Sequence, residues 1–115
     1  VIANAQDFEK ATLAKYGIDY APVPPRYRST YFAHIWPGGY GAGYYSYLWA
    51  EVLDADANAW FEEHGGLTAE NGARFRDLVL SRGDTKPQMQ QFVDFAGREP
   101  AIAPLLKRRG LDKQG

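Results

Sequence analysis

The chain has 115 residues, with 13 Lys and Arg against 14 Asp and Glu, a formal charge of −1 and no cysteine. One domain with a modest core fits that length, and the near-neutral balance offers no basic face to nucleic acid or anionic lipid. A disulfide framework, an Fe–S cluster and a thiol nucleophile are all excluded, and no apolar run approaches the ~18 residues that a membrane-spanning helix needs.

The opening residues VIANAQDFEK lack the basic start and apolar middle of a signal peptide. A cysteine-free chain also fits a reducing compartment, so the expected location is the cytoplasm. From Ala5 to Tyr16 the residues Phe8, Ala11, Leu13 and Ala14 recur at roughly helical spacing, and Gly17 stands where a helix-ending glycine belongs. DYAPVPPRYR cannot be helical, because Pro22, Pro24 and Pro25 remove backbone donors and hold their predecessors extended. STYFAHIW has strand-like residues but no partner strand elsewhere, and is expected as a short helix or an extended segment packed on helices.

Pro37, Gly38 and Gly39 break the chain. A long helix is expected from about Gly41 or Gly43 to about His64, ending at Gly65 and Gly66. Its first half, YYSYLWAEVL, is apolar on nearly every side, as in a helix buried by neighbours. A third helix begins with a capping box, Thr68 at the N-cap and Asn71 in place of the usual Glu or Gln. Phe75, Leu78 and Val79 form its inner face, and Gly83 stops it. A fourth runs from Pro87 at the first helical position, through Met89, Phe92, Val93 and Phe95, to Gly97. PLLKRRG forms a last short helix whose cations suit the negative end of the helix dipole. The fold class is all-α, and residues 1–115 read as a single helical piece with no internal boundary.

The tyrosines are unevenly placed. All eight lie between Tyr16 and Tyr47, whereas the second half uses Phe61, Phe75, Phe92 and Phe95 for its core. HIWPGGYGAGYYSYLW, residues 34–49, holds four tyrosines, four glycines and a histidine. If the helix starts early, Tyr40, Tyr44 and Tyr47 share one face, while Tyr45, Leu48, Trp49 and Val52 fall on another that looks like core. A phenol is a neutral donor suited to a carbonyl oxygen gaining negative charge. Gly38, Gly39, Gly41 and Gly43 let a substrate backbone approach closely or let the loop hinge, and His34 adds an imidazole to the same space. The combination makes a donor-rich wall for an extended, carbonyl-bearing ligand such as a peptide.

The plainer explanation is that these tyrosines are core residues whose hydroxyls find a carbonyl or water, and from spacing alone it is the commoner case. His64, beside the helix-ending glycines, suits a partner of the helix C-terminus. GGYGAG matches neither GxGxxG nor the P-loop, and no strand and lysine frame it. HExxH is missing, since EEHGG at 62–66 has no second histidine on its face, and two histidines in such different settings make no metal site. No serine lies in a nucleophile elbow. Substrate-binding chemistry is present without a catalytic engine.

PVPPRYRSTYFAHIW, GGYGAGYYSYLWAEVLDADANAWF, GGLTAENGARFRDLVLSRG and PLLKRRGL resemble, in collinear order, the C-terminal end of the bacterial peptidyl-dipeptidases. These dipeptidyl carboxypeptidases belong to the thimet oligopeptidase family of zinc metallopeptidases. The resemblance implies an all-helical clamshell with a deep channel, of which this chain forms one wall. It also implies a zinc ion held by HExxH and a downstream glutamate outside the matched region, so this chain itself binds none and is inactive alone. By the same resemblance Tyr47 stabilises the oxyanion, His34 hydrogen-bonds the substrate backbone beside the scissile bond, and Tyr40 and Tyr44 of the glycine-rich loop position the peptide. Pro37 departs from the small residues usual in that loop and bears on how freely it closes. The partners implied are a peptide substrate and the remainder of the peptidase chain, with self-association of the fragment through its apolar helix. A free-standing helical module that binds peptides or a protein is the competing possibility.

Overall fold

The structure, a computed structural model, describes residues 2–112. Among them are helices α1 (Ala5–Lys15), α2 (Ser46–Glu63), α3 (Ala69–Phe75), α4 (Gln88–Ala96) and α5 (Ala103–Arg108), with a π-helical turn at Arg76–Leu80 and no strand. The protein is all-α. The backbone forms two compact units, Val1–Tyr44 and Tyr45–Gly115.

In the first unit, α1 starts where Asn4 caps it: Oδ1 accepts from the amides of Gln6 at 2.9 Å and Asp7 at 3.3 Å. It ends in a Schellman motif, with Gly17 at φ 70° and the Ile18 amide donating to the Leu13 carbonyl at 3.0 Å. The expected apolar stripe buries nothing completely: α1 has no buried residue and Phe8 is exposed. Glu9 ties α1 to the turn that follows through Arg28 and Ser29. STYFAHIW is neither helix nor extended. It is a run of overlapping turns, closed by Ile35 N–H to Phe32 at 3.1 Å, Gly38 N–H to Ala33 at 3.0 Å and Tyr40 N–H to His34 at 3.1 Å.

In the second unit, α2 begins at Ser46 rather than at Gly41 or Gly43. The Gly43 amide instead closes a turn on Tyr40 at 3.1 Å, as the low helix propensity of glycine favours. α2 ends as expected at His64, with Gly65 and Gly66 both at positive φ. Thr68 caps α3 through Oγ1, 3.1 Å from the Asn71 amide. The other half of the capping box is absent, because Asn71 Nδ2 donates to the His64 and Gly66 carbonyls, both at 2.9 Å. Asn71 thereby satisfies the end of α2 instead of the start of α3. Pro87 is the N-cap of α4, at φ −51° and ψ 129°, and not its first helical residue.

The core of this unit is aromatic, as its phenylalanines predict. Phe95 is fully buried, with ring centroids 4.4 Å from Trp60, 5.0 Å from Phe75 and 5.7 Å from Phe61. Val52, Ala55 and Leu105 join α2 to α5. Asp56 is buried among them. Arg98 grips both its oxygens at 2.7 Å, and the Ala101 amide adds a third bond at 2.8 Å.

Candidate functional site

The glycine- and tyrosine-rich stretch divides between turns and helix. Tyr40 and Tyr44 precede α2, so they do not share a helical face with Tyr47 as the early helix start would have required. What brings Tyr40 and Tyr44 together is His34. Its ring centroid lies 6.1 Å from Tyr40 and 5.9 Å from Tyr44, the latter edge-on at 74°. Phe32 packs edge-on to Tyr44 at 4.7 Å and stacks on Tyr27 at 5.1 Å. An imidazole and two phenols thus sit in one aromatic cluster whose geometry is set by ring packing.

The glycines here differ in kind. A Cβ on Gly38 would lie 2.6 Å from the His34 carbonyl oxygen and 3.0 Å from its Cα, both backbone atoms. Gly38 is therefore the residue that lets the chain fold back onto His34. Gly39 adopts φ 79°, in the left-handed region. Gly41 would place a Cβ at an ordinary 3.8 Å from the Ile35 carbonyl, and Gly43 would meet nothing within 4 Å.

Tyr47 is the second residue of α2 and is 47% exposed. The face expected to be core is mostly open. Val52 is buried, but Tyr45, Leu48 and Trp49 are exposed, because no element of the second unit covers them. His64 behaves as its position suggests: Nδ1 lies 2.7 Å from the Trp60 carbonyl and the ring stacks on Trp60 at 4.1 Å. Among the described residues no group of three or more His, Cys, Asp or Glu side chains is placed to hold a metal. Nor is any helix there long and apolar enough to cross a membrane.

Two participants escaped the sequence. Phe32, the middle of the ring cluster, lies in a segment whose residues carry no helix or strand periodicity. Glu9, 19 and 20 residues from its partners Arg28 and Ser29, carries no local signal at all.

The family described as Peptidase family M3 matches residues 4–111. A dipeptidyl carboxypeptidase of Salmonella typhimurium is 52% identical over 110 residues, 96% of this chain and 16% of that protein. Its counterpart in Escherichia coli is 49% identical over 109 residues, 95% of this chain and 16% of the relative. Oligopeptidase A of Haemophilus influenzae is 47% identical over 95 residues, covering 83% of this chain and 13% of its own length. The chain thus spans about a sixth or less of the relatives it matches.

Proposed function

The chain belongs to peptidase family M3, and we propose that it is the C-terminal substrate-binding segment of a zinc peptidase that releases dipeptides from peptide C-termini in the cytoplasm. The likeness to two dipeptidyl carboxypeptidases over nearly the whole chain supports that specificity. The single structural observation behind the site is the packing of Tyr40 and Tyr44 against His34.

In this scheme His34 donates to a backbone carbonyl beside the scissile bond, while Tyr40 and Tyr44 position the peptide. Gly41 and Gly43 leave room for the substrate backbone. When water adds to the scissile carbonyl carbon, charge builds on the carbonyl oxygen, and the Tyr47 phenol donates to it. The proton then needed by the leaving amine comes from outside this segment. HExxH is missing from this sequence, and the metal is assigned to the remainder of the enzyme. There it supplies a polarising, water-activating charge when bound. The segment alone is inactive.

Tyr47→Phe in the full-length enzyme tests the assignment. Loss of an oxyanion donor lowers kcat by roughly 10²–10³ with KM little changed. Tyr44→Phe, which removes a contact made in the bound substrate as well as in the transition state, raises KM more than it lowers kcat. Full kcat in a properly folded Tyr47→Phe enzyme removes Tyr47 from the chemistry.

A further inference from the structure

The Glu9 carboxylate is the junction of the first unit. Its Oε1 accepts from Arg28 Nη1 at 2.7 Å. Oε2 accepts from both the amide of Ser29 at 2.9 Å and its hydroxyl at 3.0 Å. The side chain is only 13% exposed. The Ser29 carbonyl in turn accepts from Trp36 Nε1 at 2.6 Å, which closes residues 29–36 into a loop. Phe32 and His34 lie inside that loop, and the His34 carbonyl accepts the Tyr40 amide.

We propose that Glu9, by holding Arg28 and both donors of Ser29, fixes the loop that presents His34 and so acts as a positioning residue for peptide binding. This rests on the peptidase role proposed above. No residue of α1 is fully buried. Three charge-assisted hydrogen bonds tie the start of the loop to α1. A carboxylate is the side chain that can accept all three at once. Glutamine in its place turns one oxygen into an NH₂ that faces a guanidinium or the Ser29 donors. The Arg28 guanidinium and the Ser29 amide beside Glu9 also hold its carboxyl below the usual carboxylate range, consistent with an ionised group at neutral pH.

The test is a double-mutant cycle in the full-length enzyme with a peptide substrate, read together with hydrogen exchange. Misplacing a binding group by a fraction of an ångström is expected to make Glu9→Gln lower kcat/KM about tenfold. On a His34→Ala background the same change should cost no more than about twofold, because both act through one group. Amides of residues 29–38 should exchange faster in Glu9→Gln while those of α2 and α4 do not change. Should Glu9→Gln fail to fold, Ser29→Ala removes only the hydroxyl bond, and a fall of about threefold with the same coupling is expected. Equal losses on both backgrounds, or unaltered exchange in 29–38, overturn the proposal. A His34→Ala enzyme with full activity overturns the peptidase role of His34 instead, and exchange then still decides whether Glu9 holds the loop.

Discussion

At the scale of single residues, Gly38 and Gly43 belong to one short glycine run but answer to different constraints. An alanine at 38 drives a Cβ to 2.6 Å from the His34 carbonyl, so backbone must move, at a cost on the order of 1–3 kcal/mol. An alanine at 43 meets no atom within 4 Å. The fold should accept it with no loss, or with a gain of about 0.4–1 kcal/mol from a stiffer unfolded chain. If Gly43 makes room for substrate, Gly43→Ala keeps its melting temperature and loses affinity for peptide, whereas Gly38→Ala loses both. Thermal unfolding beside KM separates the two. The residue types of the site were legible in the sequence, since histidine, phenols and glycines announce their chemistry. Which glycine serves the fold was not, because that depends on a backbone contact only the folded turn creates.

Elements whose ends are written in local chemistry appear where the sequence puts them. α1 stops at Gly17, α4 at Gly97 and α5 just before Gly110, each glycine at positive φ. α2 starts later than the apolar pattern suggests because the glycines of GGYGAG favour turns over helix, and the Gly43 amide closes one on Tyr40. The π-helical turn at Arg76–Leu80, closed by Ser81 N–H to the Arg76 carbonyl at 2.8 Å, has no sequence signature comparable to a cap. The Asp56–Arg98 link between α2 and the α4–α5 connection spans 42 residues and is equally invisible. It yields an asymmetric prediction. Asp56 is 0% exposed and the Arg98 side chain 41%, so Arg98→Ala strands a buried charge at a cost of about 3–5 kcal/mol. Asp56→Ala frees an arginine already half in water and should cost less.

The pH dependence of that link follows from competing causes. Burial pushes the Asp56 carboxyl up, but the Arg98 guanidinium and the Ala101 amide outweigh it and hold the group below its usual range. A depressed carboxylate stabilises the fold fully above its unfolded value of about 3.9 and loses that contribution as pH falls through the folded value. Without Arg98 only burial and the Ala101 bond remain, so protonation becomes favourable. Urea unfolding from pH 7 towards pH 4 should therefore show a roughly level wild type and an Arg98→Ala variant that gains stability. A parallel response in the two proteins contradicts the link.

For the molecule as a whole, the second unit leaves an apolar groove of about 600 Å³ between α2 and α5, lined by Tyr45, Leu48, Trp49, Ile102, Leu106 and Leu111 among others. Leu48 is 51% exposed on a helix whose sequence reads as apolar on nearly every side. A chain of 115 residues with such a face should self-associate in solution, in line with its expected packing against the rest of an enzyme. Sedimentation equilibrium should show association that rises with concentration and falls in Leu48→Glu. A strict monomer across that range runs against it. The all-helical class was legible from residues alone. What covers this groove was not, because an apolar helix face does not itself specify what packs on it.

The central claim, that this segment serves an enzyme releasing dipeptides from peptide C-termini, is tested most directly by the products of the full-length protein. An N-acylated tetrapeptide is incubated with the zinc-loaded enzyme, and the products are identified by mass spectrometry. The expected result is one free dipeptide and one N-acylated dipeptide in equal amounts, with none formed by the 115-residue chain alone. Release of single C-terminal residues, cleavage confined to internal bonds of longer peptides, or no hydrolysis at all would contradict it.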